Sequence, residues 1–224
     1  GLMKQGMDVT VVHLLDRLME RQLDGPAAAM LKTSLEASGM KFLMSHATDE
    51  INGDDRVTGL TFKNGDYIAT DLVVMAVGIK PNFNLAQESG LHCERGIVVS
   101  DTMQTFDPNI YSVGECVQHR GTTYGLVAPL FEQAKVAANH LAEFGIARYE
   151  GTVTSTMLKV TGIDLFSAGD FIGDDTTEEL VFQDVASGSY KKIVLKDNIL
   201  IGAVLYGDTI DGTWYFQMMK DGTN

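Results

Sequence analysis

Two unbroken apolar runs constrain this chain more than anything else in it. Met7 to Leu14, MDVTVVHL, is β-branched and nearly continuously apolar, and Asp71 to Gly78, DLVVMAVG, repeats the pattern and stops on a glycine. A strand with one wet face alternates apolar and polar residues, so runs like these belong in a parallel sheet buried on both faces. Parallel strands need a crossover. Asp24 to Gly39, DGPAAAMLKTSLEASG, supplies one as a helix, with Asp24 as N-cap candidate, a proline near its start and Gly39 as its stop. Lys41 to His46 follows as a short strand. Arg56 to Phe62 and Tyr67 to Ala69, joined by Asn64-Gly65-Asp66, read as a hairpin in which Asn-Gly supplies the positive-φ turn residues. The fold class expected is α/β.

The chain opens on Gly1 to Gly6, which reads as the last turn of a helix stopped by Gly6, with a strand directly after it. A preceding strand, glycine-rich turn and most of a helix are therefore expected upstream. The net charge of −13 opposes binding to nucleic acid or to an anionic membrane surface. No apolar run approaches the roughly 20 residues that span a bilayer. Cys93 and Cys116 are too far apart for a redox CxxC pair and too few for a metal cage, so a reducing cytoplasm is the expected location, and both read as small buried fillers.

The segment Thr105 to Gly121, TFDPNIYSVGECVQHRG, carries the chemistry. Asp107-Pro108-Asn109 reads as a turn leading into a strand, Ile110 to Val113, which ends on Gly114 with Glu115 next. At the carboxyl end of a strand in an open α/β sheet, a glycine admits a ligand to the main chain and an acidic side chain can accept hydrogen bonds from sugar hydroxyls. Leu85 to Gly90 reads as a helical turn and Gly96 to Ser100 as a strand. From Pro129 the pattern is helical through Gly145, with Leu130, Ala134, Ala137, Ala138 and Leu141 on one face.

Beyond about Ala147 the style changes. Strand-like runs at Ser155 to Val160, Asp164 to Ala168, Glu179 to Asp184, Tyr190 to Lys196 and Leu200 to Leu205 precede a final helix, Asp211 to Lys220, as in an α+β unit with Asp197-Asn198 as a hairpin turn. Trp214, Tyr215 and Phe216 are expected in its core.

The residues Thr105, Ile110, Tyr111, Val113 and Gly114, with Val77, Gly78, Pro81 and Asn82 upstream, resemble two fingerprints of the pyridine nucleotide-disulfide oxidoreductase superfamily. Glu115 stands where most of that superfamily has Asp. GECVQHRG, YGLVAP (Tyr124 to Pro129) and TMLKVTGIDLFSAGD (Thr156 to Asp170) resemble the large subunit of assimilatory NAD(P)H-dependent nitrite reductase. The resemblance implies partial Rossmann-like FAD- and NAD-binding domains, truncated at the N-terminus, then a small α+β domain. The boundaries it gives are 1–80 for the partial NAD(P) domain, 81–146 for the C-terminal part of the FAD domain and 147–224 for the last domain.

The same resemblance implies FAD lined by Gly114, Glu115 and Cys116. The start of the Pro129 helix, through Val127, Ala128 and Leu130, would lie under the flavin, and His13 and Gly78 would line the nicotinamide nucleotide. His13 occupies the position where a ribose-binding carboxylate is usual. Arg17 and Arg21 nearby leave both NADH and NADPH open. No catalytic side chain is required. In the parent enzyme hydride passes from NAD(P)H to FAD, and electrons pass to an iron–sulfur cluster and siroheme outside this chain, where nitrite becomes ammonia. Implied partners are the rest of the large subunit and a small nitrite reductase subunit, in a homo-oligomer, with neither nucleic acid nor membrane. Two alternatives stay open: a rubredoxin- or ferredoxin-type reductase or NADH oxidase of the same superfamily, and a cofactor-free structural fragment.

Overall fold

The computed structural model describes residues 1–142 and 145–223. Contacts divide the chain into two units, Gly1–Val74 with Ser155–Asn224, and Met75–Thr154. In the first, Leu2–Gln5 forms a 3-10 turn that Gly6 stops at φ 80°. Strand β1 (Thr10–Val12) leads to helix α1 (Gly25–Ala37) and returns as β2 (Lys41–Leu43), which pairs with β1 in parallel. Asp24 caps α1 as expected, its Oδ1 accepting from the Ala27 N–H at 3.2 Å. The first apolar run is shorter than expected, because β1 pairs on one side only and Leu14 is 65% exposed. Strands β3 (Thr48–Asn52), β4 (Gly59–Phe62) and β5 (Tyr67–Ala69) form the antiparallel meander. In its turn only Gly65 takes positive φ, at 89°, while Asn64 Oδ1 accepts from the Asp66 N–H. That is the three-residue loop with a glycine bulge.

Two expectations fail in the residues that follow. Asp71 to Gly78 is not a buried strand: among the described residues it pairs with nothing, and Val74, Met75 and Val77 are 65%, 73% and 89% exposed. Two-sided burial needs neighbouring strands, which the described residues do not supply. Nor is Ile110 to Val113 a strand. Its backbone folds back on the preceding loop, with Thr105 N–H donating to Ile110 O and Ser112 N–H to Met103 O, leaving one bridge between Gln104 and Tyr111. The sheet here instead joins β6 (Ile97–Val99) in parallel to β7 (Val117–His119), which turns through Arg120-Gly121 into β8 (Thr122–Thr123). Helix α2 (Asn84–Glu88) precedes β6, as expected from the Leu85 to Gly90 pattern. Helix α3 (Val127–Leu141) packs Val136 and Ala137 against Val99, Met103, Val117 and Tyr149. Its buried face is Pro129, Gln133, Val136 and Ala137, rotated from the apolar stripe expected, and Leu141 is 62% exposed. Of the expected extension to Gly145, residues 143 and 144 lie outside the described residues.

The last part, within the first unit, matches its sequence pattern closely. Strands β9 (Ser155–Val160), β10 (Ile163–Gly169), β11 (Glu178–Asp184), β12 (Ser189–Lys196) and β13 (Ile199–Tyr206) make an antiparallel sheet in the order β11-β12-β13-β10-β9, and α4 (Gly212–Asp221) follows. Asp197 and Asn198, at φ 52° and 63°, form the two-residue turn whose twist suits a hairpin. Ala203 and Leu205 face Tyr215, Phe216 and Met219 of α4, while Val204 and Tyr206 pack with Leu31 and Leu35 of α1. With both faces covered, β13 is apolar at nearly every position. Leu31 and Leu35 each contribute about 1.5–3 kcal/mol by leaving water. Trp214 departs from expectation: it is 59% exposed rather than in the core.

Candidate functional site

The Gly114 turn closes with Val117 N–H donating to Gly114 O at 3.2 Å, so Glu115 lies on a turn entering β7 rather than at the end of a strand. Gly114 sits at φ 108°, where an L side chain is strained, and a Cβ there would meet no atom within 4 Å. The backbone is therefore open to a ligand from that side. Glu115 is exposed. Cys116 is half-buried with Sγ 3.7 Å from Val113 O, and its carbonyl accepts from the Ile97 N–H at 2.7 Å. What fixes the turn from beneath is Gln133 of α3, whose Oε1 accepts from the Gly114 N–H at 3.0 Å.

The first turn of α3 is bare. Its N-cap, Leu126, makes no side-chain hydrogen bond to the helix, and Val127 and Ala128 are exposed, with Pro129 buried and Leu130 half-buried. The orphan N–H groups of a helix start carry the positive end of its dipole and favour a negative or electron-rich partner. Pro129 has no N–H to add. Gln133 lies six residues along α3 from Val127, about 9 Å at the helical rise, so the Gly114 turn meets the helix well below its tip. Gly78, at φ 84° and exposed, belongs to the same unit. Its neighbour Ile79 approaches the entrance to α3, since a Cβ on Gly125 would stand 3.2 Å from Ile79 Cδ1. The second unit thus holds the Gly114 to Cys116 turn, the α3 start and the Gly78 segment, the last two linked through Ile79 and Gly125.

His13 belongs to the other unit, where it follows β1 with Nε2 3.4 Å from Glu20 Oε2. In that unit Arg17 borders a cavity of about 370 Å³ with Asp24, Glu179, Tyr190 and Lys192. Tyr190 donates to Asp24 Oδ2 at 2.6 Å and Lys192 to Glu179 at 2.7 Å. Burial, and then the Asp24 carboxylate, push the Tyr190 phenol well above its usual range.

Two features escaped the sequence. Asp101 accepts from Arg120 through both carboxylate oxygens, at 3.0 and 2.7 Å, and pairs with buried His119 Nε2 at 2.8 Å. The Arg120 hydrogen bonds, and then that of His119, lower its carboxyl to about 2. His119 and Arg120 are thereby committed to a structural cluster that also holds Tyr149, whose N–H donates to Asp101 O and whose ring lies 4.9 Å from that of His119. Gln133 is the other. Its one signal was a polar residue in register with Pro129, Val136 and Ala137.

The residues present fit a flavin nucleotide: bare helix N–H groups, an open glycine backbone and an exposed carboxylate share one unit. Among the described residues no helix is long and apolar enough to cross a membrane. A family model described as pyridine nucleotide-disulphide oxidoreductase matches residues 2–140, and one for the rubredoxin NAD+ reductase C-terminal domain matches 155–223. A nitrite reductase [NAD(P)H] of Bacillus subtilis (strain 168) is 54% identical over 220 residues, 98% of this chain and 27% of that one. The assimilatory nitrate reductase electron transfer subunit of the same organism is 46% identical, covering 94% of this chain and 27% of its own. The chain thus spans about a quarter of these curated relatives. The crystal structure of a ferredoxin reductase for the CYP199A2 system from Rhodopseudomonas palustris shares the fold with TM-score 0.79 and 26% identity, over 94% of this chain and 53% of that one.

Proposed function

We propose, proceeding from the fact that this chain belongs to the pyridine nucleotide-disulphide oxidoreductase family, that it is the flavin and NAD(P)H electron-transfer module of a nitrite reductase. FAD, when bound, supplies the centre that accepts hydride from NAD(P)H and releases electrons one at a time. The chain's own residues bind and orient. Val127 and Ala128 N–H groups stabilise negative charge on the flavin edge, as a preorganised dipole does in a site shielded from water. Leu130 supplies apolar contact beneath it. Gly114 lets the sugar-alcohol chain approach the backbone, Glu115 accepts its hydroxyls and Cys116 fills the side. Gly78 serves the nicotinamide nucleotide. The domain division 1–80, 81–146 and 147–224 belongs to the same proposal.

The observation that carries this reading is the bare α3 start standing in one unit with the open Gly114 turn. By analogy with the nitrite reductases it resembles, electrons continue to an iron–sulfur cluster and siroheme that reduce nitrite to ammonia, in a cytoplasmic homo-oligomer with a small partner subunit. The rubredoxin-reductase model over residues 155–223 favours a second reading, a reductase of small iron–sulfur proteins. Assays of the NAD(P)H-driven reduction of nitrite and of rubredoxin, run side by side, separate the two. The flavin assignment is tested by visible absorption with added FAD. Glu115→Ala is expected to weaken FAD binding about tenfold, the scale of one charge-assisted hydrogen bond. Unchanged affinity removes Glu115 from the site.

A further inference from the structure

Gln133 is wholly buried, yet its Nε2 has no hydrogen-bond partner among the described residues. The Tyr149 hydroxyl is engaged with Thr152 Oγ1 at 2.8 Å. An apolar residue of the same volume would avoid the cost of a dehydrated amide nitrogen, so that end of Gln133 is not what stability retains. Its productive contact is the other end of the amide. Oε1 takes the N–H of Gly114, the residue whose open backbone and positive φ define the candidate ligand turn. No other polar side chain reaches that N–H among the described residues.

We propose that Gln133 is a positioning residue for the cofactor: it sets the height of the Gly114-Glu115 turn relative to α3, so that one rigid helix controls both the flavin-edge N–H groups and the sugar-chain contacts. The proposal rests on the flavin reading given above. Gly114 at φ 108° has no side chain to hold its own conformation, and an N–H left without an acceptor would rotate toward water, carrying Glu115 with it. A single hydrogen bond from a helix interior prevents that. The acceptor oxygen is what matters, not the amide nitrogen.

The test is made on the full-length enzyme that carries these residues, with FAD as the probe. Gln133→Met keeps volume and removes the acceptor, while Gln133→Glu keeps an acceptor oxygen. FAD dissociation constants and the flavin midpoint potential are measured for both, alongside Glu115→Ala. The expected result is a tenfold or larger loss of FAD affinity with a shifted potential in Gln133→Met, and affinity within about threefold of the parent in Gln133→Glu. If Gln133→Met does not fold, Gln133→Asn, one methylene too short to reach Gly114, takes its place with the same expectation. Unchanged affinity and potential in the acceptor-free variant, with Glu115→Ala weakened, overturn the positioning role and leave the flavin reading standing. Failure of the unmutated enzyme to bind FAD overturns that reading itself.

Discussion

Strand β13 and the run from Leu72 to Ile79 are similarly apolar, yet one lies at the centre of its unit's core and the other lies open to water. β13 reads ILIGAVLY and is buried at six of eight positions; Val77 and Ile79 are 89% and 71% exposed. The sheet brings its own partners, since each strand pairs with a neighbour and turns close at Asp197-Asn198, while α1 and α4 cover the two faces. The run at 72–79 has no such partners among the described residues. Apolar composition states a need for burial without saying what will meet it.

Hydrogen exchange breaks this contrast if it is wrong. Amides of β13 are expected to be protected about a thousandfold or more, against almost no protection from Val74 to Ile79. Equal protection would mean that the exposed run finds a partner. The next test strikes the sheet itself. Gly202 lies where the Asp170 carbonyl crowds the place a Cβ would take, beside its pairing with Gly169. Gly202→Ala is expected to destabilise that unit by about 3 kcal/mol in urea unfolding, because a strand must shift to admit the methyl.

How far the sequence spoke follows from the same distinction. Period-two patterning and turn chemistry are local, so all five strands from Ser155 to Tyr206, the Gly65 turn and the Asp24 cap could be read from neighbours in the chain. The strand at Ile110 to Val113 could not be judged that way. Its apolar residues suit a strand, but their backbone groups are taken by the loop before them, and the ladder starts three residues after Gly114. Helix α3 shows the same limit, since an apolar stripe and the face actually buried differ by a rotation that only Gln133 reveals. Motif residues gave the place of the Gly114 turn; the hydrogen bond beneath it joins positions 19 residues apart and had no local signature.

Smaller effects sharpen the comparison within each unit. Asp101 has its carboxyl at about 2 when folded, against about 4 in an unfolded chain. A lowered folded value means that its stabilising contribution is complete above pH 4 and fades as pH falls toward 2. Acid melts of the parent protein are expected to lose stability in that window more steeply than those of Asp101→Asn, which has no proton to gain. Identical slopes would place the acid sensitivity elsewhere. The carboxylate is about one-third exposed, so solvent keeps the effect modest. Smallest of all, Asn198→Gly is expected to stabilise its unit by about 0.3 kcal/mol, and so raise the melting midpoint slightly, by removing a side chain from φ 63°. A lower midpoint would mean that the Asn198 side chain contributes something the turn geometry does not explain.

Asp24 carries a consequence for synthesis. One of its oxygens starts α1 and the other accepts the hydroxyl of Tyr190, 166 positions downstream. During translation the helix must therefore emerge with its leucines uncovered and wait, at about 5–20 residues per second, some ten to thirty seconds for the strands that shelter it. Through that interval Leu31 and Leu35 lack the cover of Val204 and Tyr206, and a ribosome-bound chain is most vulnerable to mispairing just before β13 leaves the exit tunnel.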